Sequence, residues 1–273
     1  MRFKAAVVQL NSNSDAERNW QQAEECIRGA AADGAVLLVT PENTNFLGPH
    51  EDKVRAAEPL TGTTCSRFSR LAEELEVSLV LGSFNEIGPD SHRCYNTAVV
   101  FGPSGDTLAS YRKVHLFDID LSPEVSFVES DTVAPGDQAV SCDAPSGGRL
   151  GLSICYDLRF GELYRKLVDQ GAEIIVVPSA FTARTGRDHW RPLLKARAIE
   201  TQCWWLAAAQ TGRHDDGGLR ESHGHSMILD PWGEVVAEVS EGVGWAVAEI
   251  DLERVSEVRR SMPVQAHRRV IDG

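Results

Sequence analysis

The sequence lacks the features that mark secreted, membrane-bound and metal-stabilised proteins. Its six cysteines lie far apart without any Cys-x-x-Cys pair, which argues against a disulfide framework and against a structural zinc site. A leader peptide, a long apolar run, an internal repeat and a low-complexity tract are all missing. We therefore expect a globular cytoplasmic protein with no membrane partner.

Basic residues are also scarce relative to acidic ones. The 273 residues include 27 Lys and Arg against 40 Asp and Glu, a formal net charge of −13. Such a surface repels phosphate backbones and anionic membranes, so a nucleic-acid partner is not expected and an anionic substrate would need local arginines. No Ser-, Gly- or Pro-rich linker divides the chain, which predicts one domain over residues 1–273. Residues 261–273 are polar and irregular, so we predict a tail held by another surface, such as a second subunit.

Strand and helix patterns alternate along most of the chain. Apolar strand patterns at residues 3–10, 35–39 and 78–84 alternate with helical patterns at 14–31 and 63–75. Further strands and helices follow, with strands at 97–101, 107–112, 150–154, 173–177, 204–210, 224–229, 233–239 and 245–250 and a helix at 187–201. The alternation predicts an α/β fold with mixed sheets.

An acid, a cation and a thiol stand at three of these strand ends: Glu42, Lys113 and Cys155. Each has an ordinary interpretation, as a solvated loop acid, a surface cation and a buried structural cysteine. Layered sheets bring strand ends together, however, and loops there commonly carry chemistry. Asp157 is a plausible N-cap of a helix extending to Gly171, whose N-terminus would favour the thiolate form of Cys155.

The segments around these residues resemble the three signature blocks of the nitrilase superfamily. The blocks are residues 41–43, 111–116 and 154–160, in the order and approximate spacing of that family, and the similarity continues through 190–200 and 224–233. The resemblance implies a four-layer α-β-β-α sandwich and a Glu-Lys-Cys triad formed by Glu42, Lys113 and Cys155. It also implies a homodimer or a higher homo-oligomer.

These residue types suit amide hydrolysis on chemical grounds as well. Glu42 would act as general base while Cys155 attacks the carbonyl carbon, which releases ammonia and leaves a thioester. Lys113 and the backbone N–H of Tyr156 would stabilise the oxyanion. Glu129 matches a second glutamate of the family, which would orient Lys113 or the substrate amide; an exposed loop position is the alternative.

Three histidines, His214, His223 and His225, raise the alternative of a metal site. His225 lies on a predicted strand and His214 in a loop rich in Asp and Gly, so this spacing does not favour a common ligand set. We expect neither a metal nor a cofactor.

The residues after the cysteine favour an amide over a nitrile as substrate. Nitrile-hydrolysing relatives commonly carry Trp-Glu there, whereas this chain has Tyr156 and Asp157. The block is similar to the Nit branch, and residues 198–203 and 207–214 resemble its amidases that act on deaminated glutathione more than its ω-amidases. Candidate partners for a substrate carboxylate are Arg159, Arg184 and Arg187.

Four alternatives stay open at this point. They are an ω-amidase acting on α-ketoglutaramate or α-ketosuccinamate, a nitrile hydrolase, an enzyme that transfers the acyl group to an acceptor other than water, and a catalytically silent metabolite-binding protein.

Overall fold

A computed structural model describes residues 1–122, 125–214 and 220–269. The helices are α1 (Ala16–Ala32), α2 (His50–Arg55), α3 (Thr63–Leu75), α4 (Gly161–Asp169), α5 (Ala183–Thr201), α6 (Leu252–Ser261) and α7 (Val264–His267), with short 3-10 helices at Glu129–Asp131 and Cys155–Arg159. The strands are β1 (Arg2–Gln9), β2 (Ala35–Val39), β3 (Ser78–Ile87), β4 (Cys94–Phe101), β5 (Thr107–Arg112), β6 (Asp118–Ser122), β7 (Val125–Val128), β8 (Val133–Ala134), β9 (Ser141–Asp143), β10 (Arg149–Leu152), β11 (Ile174–Val176), β12 (Trp204–Ala207), β13 (Thr211–Arg213), β14 (Glu221–His223), β15 (Ser226–Leu229), β16 (Val235–Val239) and β17 (Gly244–Asp251).

Two large mixed sheets organise these strands. The first has the order β17-β1-β2-β3-β4-β5 with β8 beside β4, and the second has the order β16-β15-β12-β11-β10-β9. The centre of each sheet is parallel, through β1, β2 and β3 in one and β10, β11 and β12 in the other. The flanking strands of the main strand order pair antiparallel, whereas β8 pairs parallel with β4. The hairpins β6-β7 and β13-β14 form separate two-stranded sheets.

The sheets stack face to face with helices outside. Side-chain alternation along β1 shows this, because Ala5 and Val7 pack toward the second sheet whereas Ala6 and Val8 pack under α1 and α3. The cluster between the sheets continues through the second sheet to Trp190 of α5 and the apolar face of α4. The mixed α/β, four-layer α-β-β-α sandwich predicted from the sequence is therefore confirmed. No helix within the described ranges is long and apolar enough to cross a membrane.

The chain around the cysteine differs from the predicted single helix. Residues Cys155–Arg159 form a 3-10 turn, and α4 begins only at Gly161. The prediction that Asp157 is the N-cap of this helix is wrong, because Phe160 occupies the N-cap position of α4. The Asp157 carboxylate accepts hydrogen bonds from the backbone N–H of Ile154 and from the hydroxyl of Tyr111. By accepting from Ile154, Asp157 closes the 3-10 turn that starts at Cys155, and through Tyr111 it reaches a residue 46 positions away.

The C-terminal segment is more regular than predicted. α6 begins after Asp251, whose carboxylate caps it by accepting the backbone N–H of Glu253, and it buries Val255 and Val258 against the sandwich. The short helix α7 follows within the predicted tail. Residues 270–273 of that tail lie outside the described residues.

Candidate active site

Three strand ends deliver the predicted acid, cation and thiol to one cavity of about 960 Å³. Glu42 follows β2, Lys113 follows β5 and Cys155 follows β10, and all three line this cavity together with Glu129. The exposed fractions of these four residues are between 2% and 7%, so the group is buried at the bottom of the cavity. The ordinary surface interpretations of Glu42 and Lys113 are therefore wrong.

Close packing holds the loop that carries Glu42. Pro41 cannot donate a hydrogen bond to a neighbouring strand, and β2 ends just before it. Asn43 has a positive φ of 57°, and its N–H donates to the hydroxyl of Ser83 at 2.8 Å. A Cβ on Gly82 of β3 would collide with the carbonyl oxygen of Thr40, so this approach requires glycine.

Lys113 lies between two carboxylates. Its Nζ donates to Glu42 Oε1 at 2.9 Å and to the two oxygens of Glu129 at 3.1 and 2.8 Å. Burial alone would lower the pKa of Lys113, but Glu129 and Glu42 outweigh it and raise that pKa well above its usual range. Lys113 is consequently a fixed ammonium ion within a desolvated pocket.

Glu42 has little freedom to move. Its Oε1 accepts from Lys113 and from Asn96 Nδ2 at 2.9 Å, and its Oε2 accepts from the backbone N–H of Ala180 at 2.8 Å. Asn96 lies in β4 and Lys113 follows β5 of the first sheet, whereas Ala180 lies in the segment after β11 of the second sheet. The carboxylate orientation is therefore set by the fold before any ligand binds.

Cys155 occupies a strained backbone position. Its φ is +49°, in the left-handed region, and its N–H donates to the carbonyl of Pro178 at 2.9 Å. Burial, followed by the negative charge of Glu42, raises the pKa of its thiol well above the usual range, and Lys113 offsets this only in part. The expectation of a thiolate favoured by a helix N-terminus is wrong, because the turn is a short 3-10 helix and the thiol is desolvated beside a carboxylate.

Glu129 is buried, so the alternative of an exposed loop position is wrong. Besides Lys113, its carboxylate accepts the backbone N–H of Phe117 at 2.7 Å and a longer bond of 3.4 Å from Asn96. Although burial opposes its charge, the neighbouring ammonium groups of Lys113 and Lys53 lower the pKa of Glu129. Glu129 is thus an ionised partner that holds Lys113 in place.

Asp157 is a central residue whose role the sequence did not reveal. Its Oδ1 accepts from the backbone N–H of His115 at 3.0 Å and contacts the His115 ring at 2.7 Å, and its Oδ2 accepts from Ile154 N at 2.8 Å and Tyr111 Oη at 2.7 Å. Asp157 is fully buried. It ties the turn of Cys155 to both sides of Lys113.

Tyr156 contributes its ring and its amide. The ring lines the cavity and packs edge-on against Phe117 and Phe160, at centroid distances of 5.1 and 5.4 Å. Its backbone N–H, adjacent to Cys155, forms no hydrogen bond with any residue in the described ranges. This donor is available to a ligand oxygen beside the sulfur.

The three arginines predicted to bind substrate occupy different places. Arg184 and Arg187, at the start of α5, are exposed and line the cavity. Arg159 does not line it; its guanidinium contacts His189 Nδ1 at 3.3 Å and lies 5.3 Å from the centroid of the Phe181 ring. Two of the three predicted arginines, Arg184 and Arg187, therefore lie on the cavity wall.

Two further cations on the wall were not predicted. Lys53 of α2 has an exposed fraction of only 2%, and Arg220 donates to the carbonyl of Gly48 at 2.8 Å and lies 5.3 Å from the centroid of the Phe127 ring. Both line the cavity. The polar sequence of α2 indicates an exposed helix and gave no signal of this burial.

The three histidines considered as metal ligands contact other protein groups. His214 contacts the carbonyl of Ser12 and the hydroxyl of Ser222, each at 2.8 Å, and the rings of His223 and His225 stack at 4.5 Å. Within the part of the chain that the structure describes, no three His, Cys, Asp or Glu side chains cluster as a metal ion would need.

Comparison with known proteins identifies the family. The family model described as carbon-nitrogen hydrolase matches residues 4–260. The chain belongs to the carbon-nitrogen hydrolase family. A curated member of this family from Synechocystis, named deaminated glutathione amidase, is 43% identical over 268 residues, covering 97% of this chain and 98% of that protein.

Solved structures of carbon-nitrogen hydrolases share the fold. The NitFhit protein of C. elegans superimposes with a TM-score of 0.92 at 40% identity, covering 98% of this chain and 65% of its own. An amidase from Nesterenkonia sp. AN1, in a glutamate-to-glutamine mutant whose active-site cysteine carries the acetamide moiety of fluoroacetamide, gives a TM-score of 0.78 at 25% identity over 97% of this chain and 96% of its own. The fold of the present chain is accordingly the one found in these proteins.

Proposed function

We propose that this protein is an amidase that hydrolyses a small carboxylate-bearing amide through a cysteine thioester, with deaminated glutathione as the best candidate substrate. One observation carries the proposal: Lys113 is held by Glu42 and Glu129 on the wall of a cavity that also exposes Cys155. A base, a nucleophile and a fixed positive charge at one point are what acyl transfer from an amide requires.

The first step is attack on the amide carbonyl. Because its surroundings keep Cys155 in the thiol form, the sulfur needs a base to remove its proton during the attack. Glu42 takes that proton as the S–C bond forms and the carbonyl π electrons move to the oxygen. Bonds from Asn96 and Ala180 hold the Glu42 carboxylate in place for this transfer.

The negative charge that develops on the carbonyl oxygen must be stabilised by hydrogen-bond donors. The Lys113 ammonium and the backbone N–H of Tyr156 are the groups that we assign to this role. Each is present before substrate binds, so neither must reorganise during the reaction, and loss of one such donor raises a barrier by about 3 kcal/mol.

Collapse of the tetrahedral intermediate breaks the C–N bond. Glu42 returns the proton to the departing nitrogen, and Cys155 keeps the acyl group as a thioester. A water molecule that gives its proton to Glu42 then attacks the thioester carbon, which releases the acid and restores the thiol. The balanced reaction consumes one water and forms a carboxylic acid and an amine.

The leaving group depends on the substrate. Deaminated glutathione is glutathione whose glutamyl amino group is replaced by an oxo group, so it contains no primary carboxamide. Hydrolysis of its first amide therefore yields an oxo acid and cysteinylglycine, whereas ammonia is expected only from primary amides such as α-ketoglutaramate.

Two relatives support this choice. The Synechocystis protein, 43% identical along almost its whole length, is named for deaminated glutathione, and the active-site cysteine of the Nesterenkonia amidase accepts a covalent adduct. Tyr156 and Asp157 after the cysteine favour amides over nitriles. The cations on the cavity wall suit a substrate with carboxylates at its ends.

The test compares three substrate classes on the purified protein. We expect the highest kcat/KM for deaminated glutathione, measured as released cysteinylglycine, a lower value for α-ketoglutaramate, measured as ammonia, and the lowest for simple nitriles. Turnover of nitriles alone would exclude the amidase function. Intact mass after brief mixing should reveal an acyl adduct; no adduct and no turnover would favour a metabolite-binding protein.

Cysteine variants supply the matched control. Cys155→Ala should abolish both turnover and adduct formation. Cys26→Ala, at another buried free cysteine that lies in α1 away from the cavity, should retain both.

We also infer that residues 1–273 act as one domain within a homodimer in the cytoplasm. All six cysteines are free, which suits a reducing compartment. Apolar side chains at Trp232 and Val236 are 47% and 46% exposed, which suits burial against a second copy. Light scattering of the eluted protein measures the mass: a dimer mass supports the inference, and a monomer mass contradicts it.

A further inference from the structure

Lys53 is a buried cation on the cavity wall that the proposed mechanism does not use. It lies in the short helix α2, with an exposed fraction of 2%, and lines the same cavity as Cys155. Within the described ranges, no hydrogen bond or ion pair involves its Nζ. The neighbouring Arg55 shows the contrast, because it is exposed and pairs with Asp52.

An ammonium group in this position carries an energetic penalty. Burial lowers the pKa of Lys53, and the like charge of Arg220 adds to the effect. Glu129 is near enough to oppose this shift, but its carboxylate is already bonded to Lys113 and to the backbone N–H of Phe117. A carboxylate entering the cavity would provide the hydrogen-bonding partner that Lys53 lacks.

We propose, on the basis of the amidase function proposed above, that Lys53 binds the carboxylate of the 2-oxo acid half of the substrate, the half that remains on Cys155 as the thioester. Lys53 is then a specificity-determining residue. It selects amides whose acyl group ends in a carboxylate.

The two carboxylates of deaminated glutathione lie at different distances from the scissile carbonyl carbon. In deaminated glutathione its carboxylate carbon is separated from the scissile carbonyl carbon by four bonds, about 5 Å when extended. The glycine carboxylate of the leaving half lies farther away, at about 7 Å or more. Lys53 is buried on the wall of the cavity that Glu42, Glu129 and Cys155 also line, whereas Arg184 and Arg187 are exposed on that wall, so we assign the nearer, acyl carboxylate to Lys53.

A ratio of activities tests the proposal. Lys53→Met removes the charge with little change in length, and kcat/KM is measured for deaminated glutathione, α-ketoglutaramate and pentanamide, a neutral amide with the same number of acyl carbons. We expect the preference for each carboxylate-bearing amide over pentanamide to fall on the order of 100-fold. Lys53→Arg, which keeps the charge, should retain most of this preference, and Arg55→Met on the same helix should retain all of it.

A binding measurement decides the point without turnover. Iodoacetamide alkylates Cys155, and 2-oxoglutarate, the acyl product, should slow this alkylation in the wild type at concentrations at least 30-fold lower than in Lys53→Met. Equal protection of both proteins, or an unchanged substrate preference in a folded Lys53→Met variant, would overturn the proposal. Failure of the wild type to hydrolyse any amide would instead refute the proposed function, and the protection experiment would still decide the role of Lys53.

Discussion

Tyr111 donates its hydroxyl to the carboxylate of Asp157 at 2.7 Å, across 46 residues of sequence. Tyr111 belongs to β5, which ends just before Lys113, and Asp157 belongs to the turn that starts at Cys155. The bond therefore joins the segment that carries the cation to the turn that carries the thiol. Because both residues are fully buried, the separation of the two reactive groups depends on a contact that solvent does not reach.

Asp157→Asn should misplace Cys155 relative to Lys113. The Asp157 carboxylate accepts hydrogen bonds from Ile154, Tyr111 and His115. In asparagine an NH2 group replaces one of the two accepting oxygens, so a donor would face the donors of these neighbours. We expect a loss of about 2–3 kcal/mol in the free energy of unfolding and a larger relative loss in kcat than in KM. Urea unfolding and steady-state kinetics measure the two effects.

Tyr111→Phe is the matched control for this variant. It removes one donor to the carboxylate and the acceptor of a long bond of 3.3 Å from the backbone N–H of Val114, but it leaves the carboxylate with its other partners. We therefore expect a loss of only about 1 kcal/mol in unfolding free energy and a smaller loss of kcat. Equal effects of the two substitutions on kcat would show that Asp157 acts only through Tyr111.

Glu129→Gln should weaken the hold on Lys113. A single amide oxygen then replaces two carboxylate oxygens that accept from Lys113 and from the N–H of Phe117. We expect kcat to fall by about 10- to 100-fold with little change in KM, because the ammonium stabilises charge that develops only in the transition state. A variant that raises KM alone would place Glu129 in substrate binding instead.

Glu129→Gln should also change how the free energy of unfolding depends on pH. Lys113 and Lys53 depress the pKa of Glu129 in the folded protein below its usual value near 4.5, despite burial. The stabilisation from the ionised group is therefore present above that value and is lost as pH falls toward the folded pKa. The difference in unfolding free energy between wild type and Glu129→Gln should shrink as the pH is lowered from 6 to 3; a constant difference would contradict the assignment.

The strand ends were the most predictable part of the molecule. Residues 35–39 form an uninterrupted apolar run, and Pro41 cannot continue a strand, so the position of Glu42 just past a buried strand followed from local rules. The turn-rich segment before residue 107 likewise predicted the return strand that delivers Lys113. Both positions depend on signals contained within a few residues of the chain.

Asp157 and Lys53 show where local reasoning fails. The position of Asp157 before an apparent helix matches the pattern of an N-cap, yet its carboxylate is engaged by Tyr111, a residue distant in sequence. Lys53 lies in a helix of polar sequence, and only the surrounding cavity wall makes it buried. Such roles arise from tertiary contacts, which leave no periodic or spacing signal in one sequence.

His223 should make the protein less stable in mild acid. Burial, together with the nearby His225 and Arg187, lowers the pKa of His223 to about 4 from about 6.5, although Glu238 opposes the shift. The unfolded chain therefore takes up this proton first, and stability declines as pH falls from about 6.5 to about 4. His223→Gln should show a smaller loss of urea midpoint between pH 7 and pH 4.5 than the wild type; an equal loss would exclude His223 as the cause.

Arg187 should distinguish the two halves of deaminated glutathione. It lines the cavity from α5 and is exposed, which suits the glycine carboxylate of the leaving half better than the buried acyl end near Lys53. Because solvent screens an exposed pair, we expect Arg187→Ala to lower kcat/KM for deaminated glutathione by only about 3- to 5-fold. α-Ketoglutaramate lacks that carboxylate, so kcat/KM for α-ketoglutaramate should change less than about two-fold in Arg187→Ala.

Arg191→Ala is the control for this comparison, since Arg191 lies on the same helix, pairs with Glu238 and does not line the cavity. It should leave the ratio of the two activities unchanged.

If Arg187→Ala lowers both activities equally, Arg187 shapes the cavity rather than binding the leaving half of the substrate. Arg184 then becomes the next residue to test, because it also lines the wall. A loss confined to deaminated glutathione would place the two substrate carboxylates at opposite ends of the cavity, with Cys155 between them.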